Sequence, residues 1–227
     1  MSWFDHILIL FFTVVMPYMG WRNYPKFLDM LHQEPEAARR SVYISNMIAL
    51  WILAIVVLLA WSYADRPVGM IGFTPLTGKP AFISLSVVIV VIAIVIIAYR
   101  ALLQKDNRYQ WIFVPELLPR SKGELNLFLL LSITAGITEE ILYRGYLMWY
   151  LSQLGNSTFV VLVSTLLFTI AHAYQGIKAM VVIFPIGLVF GILYAYSGSL
   201  LAPILLHIAI NSYAGIYGKK IYGNETR

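Results

Sequence analysis

The chain contains no cysteine. That excludes disulfides, a thiol nucleophile and cysteine-ligated zinc. It is also short of charge. Asp, Glu, Lys and Arg make up 12% of its 227 residues, against roughly 25% in an average soluble domain. The ten-residue alternating strands of a transmembrane barrel are missing, as are internal repeats and low-complexity tracts. There is no H-E-x-x-H and no G-x-S-x-G elbow, which sets aside two common hydrolase designs. What the chain has is apolar surface: 60% of its residues are hydrophobic and the mean hydropathy is +0.77. Several apolar runs approach 20 residues. They predict an all-α, multi-pass transmembrane helix bundle of about seven spans in a cell membrane.

The spans are expected over Trp3–Gly20, Val42–Tyr63, Ala81–Tyr99, Leu125–Leu151, Thr158–Tyr174, Ile177–Tyr196 and Leu201–Tyr217. The first carries Asp5 and has no Lys or Arg before Arg22, so it reads as a retained span and not as a signal peptide. Trp21–Ser41 reads as a polar loop with a short interfacial helix. Trp111–Leu118 is apolar and aromatic enough to lie at the interface. Asn156 can cap the fifth span, Pro185 is expected to kink the sixth, and Ser197-Gly198-Ser199 reads as a tight turn. Of the 16 Lys and Arg, thirteen fall in the first, third and fifth loops and the tail: Arg22, Lys26, Arg39, Arg40, Arg100, Lys105, Arg108, Arg120, Lys122, Lys178, Lys219, Lys220 and Arg227. Only Arg66 and Lys79 fall on the other side. This bias predicts an outside N-terminus and a cytoplasmic C-terminus. It divides the chain into N-terminal spans (1–119), a core of four spans (120–217) and a cytoplasmic tail (218–227).

The remaining basic residue, Arg144, lies inside a span. The run Ala135–Leu147 reads A-G-I-T-E-E-I-L-Y-R-G-Y-L and places Glu139, Glu140 and Arg144 in hydrocarbon, at a cost of a few kcal/mol each. Adjacent helical residues point about 100° apart, so the two glutamates have different surroundings. Glu140 and Arg144 are four apart with the acid first, the favourable direction for an ion pair. Glu139 is left without a partner in its own helix, as a general base would be. The competing reading is an ion-pair cluster that only fixes helix packing.

His172 follows Phe168 by four residues near the end of the fifth span, where a packed interfacial histidine is the plainer reading. His207 and Asn211 share a face of the seventh, where interhelical hydrogen bonding is the plainer reading. The depths of Glu139, His172 and His207 are compatible with one cavity running from mid-membrane to the cytoplasmic side. His6 and His32 receive no role. Gly187 and Gly191 mark a close helix contact.

A carboxylate, two imidazoles and an amide can hydrolyse an amide bond. Glu139 would take a proton from water, His172 would hold that water or protonate the leaving amine, and His207 and Asn211 would donate to the oxyanion. The same groups can instead hold a zinc ion with a water at its open position, and spacing does not separate the two. A non-catalytic immunity, scaffold or transport protein that uses these groups as a structural or proton-relay network is the third reading.

At these residues the chain resembles the CAAX prenyl protease family and the related intramembrane proteases called CPBP or Abi. The family's E-E-x-x-x-R, F-x-x-x-H and H-x-x-x-N stand here as Glu139-Glu140 to Arg144, Phe168 to His172 and His207 to Asn211. The resemblance spans about Arg120 to Ala214, with no departure at the motif positions. It implies a glutamate-dependent endopeptidase without a metal cofactor, with the first glutamate activating water, and the two histidines and the asparagine as catalytic or oxyanion groups. Glu140, Arg144 and Phe168 are expected to position them. The implied substrate is a membrane-associated peptide or protein in the bilayer. In eukaryotic members it is a prenylated C-terminal CAAX tail. Bacterial members are associated with peptide processing, bacteriocin self-immunity or membrane-protein regulation. Nothing points to nucleic acid.

Overall fold

A computed structural model describes residues 1–105 and 114–223. Among these, all regular structure is helical. The helices are α1 (Trp3–Gln33), α2 (Pro35–Tyr63), α3 (Gly78–Lys105), α4 (Lys122–Ser152), α5 (Ser157–Ala171), α6 (Ile177–Ser197) and α7 (Leu201–Tyr222). Six are long and apolar enough to cross a membrane, and α5 is the shorter exception. The protein is a multi-pass membrane protein. Its α1 and α4 are continuous helices, each widened by a π-helical stretch, over Phe11–Val15 and Ile141–Leu147.

Two expectations need correction. Trp21–Ser41 is not a loop: α1 continues to Gln33, and only Glu34 separates it from α2. Polar residues end an apolar run without ending a helix, Pro25 is accommodated inside α1, and Pro35 opens α2, where its missing N–H costs nothing. The fifth span does not reach Tyr174. α5 has 15 residues, about 22 Å at 1.5 Å per residue, short of the roughly 30 Å hydrocarbon thickness. His172 caps it, and a short turn over Ala173–Gln175 leads through Gly176, at φ +89°, into α6. The interfacial stretch expected at Trp111–Leu118 lies partly outside the described residues. Its described part forms a turn over Pro115–Leu117, followed by the buried Leu118. Asn156 does cap α5, accepting from the Phe159 N–H at 3.0 Å, and α6 runs through Pro185.

α4 is central, packed between α2 and α7. Ser121 starts it with a capping box to Glu124. Glu124 also accepts from Arg39 Nε at 2.8 Å, and both side chains are buried. Arg39, counted above among the orientation charges, is therefore a structural ion pair between α2 and α4. Glycines let α4 and α7 approach closely. A Cβ on Gly136 would stand 2.5 Å from Ile208 Cγ1, and one on Gly215 would run into the Phe128 ring. On the other side, α6 lays Gly187 and Gly191 against Phe168, Thr165 and Val161 of α5. The third span, α3, is peripheral. Val88 packs on Phe190, Leu193, Ala202, Leu206 and Ile210, while Ile89, Val90, Ile94 and Ile97 stay exposed, as an apolar lipid-facing surface should.

Polar clusters tie the two ends of the bundle. At the C-terminal end of α4, Asp5 accepts from both Nη atoms of Arg66, at 2.8 and 2.7 Å, and from the Tyr146 hydroxyl at 2.7 Å. This bonding to Asp5 holds the Arg66 guanidinium above its ordinary range. The same guanidinium lies 4.2 Å from the Trp149 ring centroid. At the other end of α4, Tyr43 donates to the Leu117 carbonyl at 2.6 Å, and Arg120 lies over the Tyr222 ring at 5.5 Å. Asp5 and Tyr222 thus pack at opposite ends of α4.

Candidate active site

Glu139 and Glu140 close the α-helical part of α4, and the π-helical stretch begins at Ile141. Such widened turns recur at functional sites, because they leave backbone groups to be satisfied from elsewhere. Here Ser164 of α5 donates to the Tyr143 carbonyl at 3.1 Å. Thr138 and Ser132 bond to carbonyls one turn back, at 2.8 Å each, so their hydroxyls are satisfied within their own helix.

The expected ion pair is present. Arg144 Nη1 donates to Glu140 Oε1 at 3.0 Å, with both side chains almost fully buried. Arg144 Nη2 donates to the Gly187 carbonyl of α6 at 3.0 Å. Its guanidinium carbon lies 4.4 Å from the Phe168 ring centroid and 5.1 Å from that of Phe190. The arginine is thus held by a carboxylate, a carbonyl and two aromatic rings.

His207 is held by Glu140. Its Nδ1 lies 2.7 Å from Oε1, while its Nε2 lies 3.9 Å from Glu139 Oε2. The first is a hydrogen bond, and the second is too long to be one. Glu140 Oε1 therefore accepts from Arg144 and His207 together. The Glu139 side chain is 16% exposed against 0% for Glu140, and its Oε2 has no hydrogen-bond partner among the described residues. His172 Nδ1 lies 2.8 Å from the Phe168 carbonyl oxygen. A carbonyl only accepts, so Nδ1 carries the proton and Nε2 is the free ring nitrogen.

Glu139, His172, His207 and Asn211 all line one cavity of about 360 Å³. Its polar end lies where α4, α5 and α7 meet. A mostly apolar limb, with Tyr43, Asn46 and Ser132 as its polar members, runs on past Leu131, Phe128 and Ala214 to Leu117 and Leu118, at the Tyr222 end of the bundle. α1 and α2 supply a wall, with Met16, Pro17 and Leu50 among its residues. Glu140 and Arg144 are absent from the lining and lie behind it. Among the described residues, no group of three or more His, Asp or Glu side chains is placed to hold a metal ion.

Three features of this site are not in the motifs. Gly136 brings α7 close enough for His207 to reach α4, and a glycine among the polar residues of a span was the available signal. Phe190 packs on both His207 and Arg144, and a phenylalanine in an apolar helix gives no signal. The Asp5–Arg66–Tyr146 cluster braces the π-helical stretch next to Arg144, and only Asp5 inside an apolar run hinted at it.

Residues 121–213 match the family model described as type II CAAX prenyl endopeptidase, Rce1-like. The match takes in α4, α5, α6 and most of α7, and with them Glu139, Glu140, Arg144, Phe168, His172, His207 and Asn211, while the α1 and α2 wall of the cavity lies outside it. No curated protein and no solved structure matches the chain.

Proposed function

We propose that this Rce1-like membrane protein is a glutamate-dependent intramembrane endopeptidase that cuts a membrane-associated peptide or protein of the prenylated CAAX type. The observation that carries the reading is the convergence of Glu139, His172, His207 and Asn211 on one cavity inside a helix bundle, with Glu139 Oε2 unpartnered among the described residues. In this reading Glu139 takes a proton from water as the water oxygen bonds to the scissile carbonyl carbon. The 3.9 Å between Glu139 Oε2 and His207 Nε2 lets both atoms reach the reacting oxygens. Asn211 and His207 donate to the oxyanion, the term that usually contributes most. Because His207 Nδ1 is committed to Glu140, its Nε2 donates only when the ring is an imidazolium; Glu140 already offsets Arg144, so that second positive charge is balanced by the Glu139 carboxylate and then by the oxyanion. The tetrahedral intermediate collapses by breaking the C–N bond. The departing amine takes the proton first removed from water, delivered by Glu139 or through His172 Nε2.

The bias of positive charge orients the Tyr222 end toward the cytoplasm. The mostly apolar limb then leads from the cytoplasmic interface to the glutamate, the path a lipid-tethered cytoplasmic peptide would follow.

The test is cleavage of a farnesylated CAAX-type reporter peptide by purified protein, wild type beside Glu139→Gln, with and without chelator. Cleavage that falls by about 10²–10⁴-fold in the variant, the usual contribution of a general base, and that persists in chelator is the expected result. Cleavage lost in chelator from a zinc-containing protein replaces the metal-free mechanism with the zinc one. An uncut reporter removes the CAAX substrate, and undiminished cleavage by Glu139→Gln removes the base.

A further inference from the structure

α6 brings only Gly187, Gly191 and Pro185 to notice from sequence, yet it supplies the surface on which the site's histidine rests. Phe190 is 1% exposed. Its ring is stacked on the His207 imidazole with centroids 5.1 Å apart and planes 21° from parallel. It also lies 5.1 Å from the Arg144 guanidinium carbon. One helical turn earlier on the same face, the Gly187 carbonyl receives Arg144 Nη2. Phe168 meets His207 edge-on, at 6.1 Å and 90°.

These contacts answer a geometric need. The Nδ1 bond to Glu140 and the covalent tether at Cβ hold two points of the imidazole and leave it one soft motion, a rocking about the line that joins them. Nε2 is the atom that faces Glu139, so this rocking moves the working nitrogen. A flat ring stacked on the imidazole fixes its plane, and an edge-on ring at right angles closes the remaining direction. We propose that Phe190 is a positioning residue: it sets the plane of His207 and braces Arg144, so that Nδ1 stays on Glu140 while Nε2 points into the cavity. The proposal rests on the peptidase reading for its kinetic consequence. Its structural content stands without it.

The experiment compares Phe190→Leu and Phe190→Tyr with wild type in detergent, by reporter kinetics and by imidazole ¹⁵N NMR of histidine-labelled protein, with the His207 signals assigned by their loss in His207→Gln. Leu keeps apolar bulk and removes the ring, while Tyr keeps the ring. In Phe190→Leu, kcat falls about tenfold, as the loss of an aromatic contact and of ring alignment predicts. KM stays near wild type, Tm falls by a few degrees as a buried ring gives way to a smaller side chain, the His207 ring-current shift is lost, and its Nδ1 proton exchanges faster. Phe190→Tyr restores kcat and the spectrum. Unchanged His207 signals in Phe190→Leu overturn the proposal, as does a kcat within twofold of wild type while the wild type cleaves. So does an equal loss of Tm in both variants, which assigns the ring to packing alone. A wild type that leaves this reporter uncut removes the CAAX substrate, and the NMR comparison still decides the positioning role.

Discussion

His207 Nδ1 lies 2.7 Å from Glu140 Oε1, and its Nε2 lies 3.9 Å from Glu139. The two adjacent glutamates are divided by this one ring. Glu140 is buried behind the cavity, bonded to His207 and Arg144. Each glutamate keeps one carboxylate oxygen without a hydrogen bond among the described residues, but only Glu139 lines the cavity, its side chain 16% exposed against 0% for Glu140. One carboxylate is built into the protein, and the other is left for chemistry.

The division predicts opposite phenotypes for the same substitution. Glu139→Gln removes cleavage while leaving thermal unfolding in detergent close to wild type, because no partner is stranded. Glu140→Gln strands the buried Arg144 cation and lowers stability by about 3–5 kcal/mol, the range for breaking a buried pair from one side. Unfolding midpoints of the two variants, measured side by side, decide this. A more destabilised Glu139→Gln would reverse the assignment.

Arg144 is coupled to Glu140 in the same way. Arg144→Ala loses both stability and cleavage, since it leaves a buried carboxylate shared only with His207. The double variant Arg144→Met with Glu140→Gln removes both charges and recovers most of the stability, although not the activity. Additive losses in the double-mutant cycle would mean that the pair is not a unit.

Gly136 is where α4 and α7 touch. A Cβ there would lie 2.5 Å from Ile208 Cγ1 and 3.1 Å from the Ile208 backbone nitrogen. The isoleucine tip can turn aside, but the backbone cannot. Gly136→Ala therefore costs about 1–3 kcal/mol by overpacking, and it lowers kcat further by moving His207 relative to Glu140. Gly136→Leu abolishes activity. Full activity in Gly136→Leu would show that the close approach is not needed.

The absence of cysteine makes orientation directly measurable. Tyr63→Cys and Lys220→Cys place single thiols on exposed residues at opposite ends of the bundle. In intact cells an impermeant maleimide labels the Tyr63→Cys variant, and it leaves the Lys220→Cys variant unlabelled until the membrane is opened. The reverse pattern would invert the cytoplasmic reading of the Tyr222 end.

Much of the site is legible in the sequence, because helical periodicity acts within one segment. Spacing by four fixes that Glu140 and Arg144 meet, that Glu139 faces elsewhere and that His207 and Asn211 share a face. Hydropathy fixes that such groups are buried in an apolar bundle and therefore need partners. The helix boundary near Gly20 is not legible in this way. Hydropathy reports where the apolar run stops, and the helix continues through polar residues to Gln33.

The partners across helices are not legible either. That His207 bonds Glu140 and not Glu139, that Phe190 lies flat on His207, that Arg39 is spent on Glu124 and that Asp5 binds Arg66 and Tyr146 are all set by how closely helices approach and at what height. Those quantities depend on steric fit between side chains distant in sequence, such as Gly136 against Ile208 or Gly187 against Phe168. By itself the sequence determined which polar groups must be buried and which way each faces on its own helix. Only the packing of α4, α6 and α7 decided which of them touch, because an interhelical contact is a property of two surfaces and a periodic pattern describes only one.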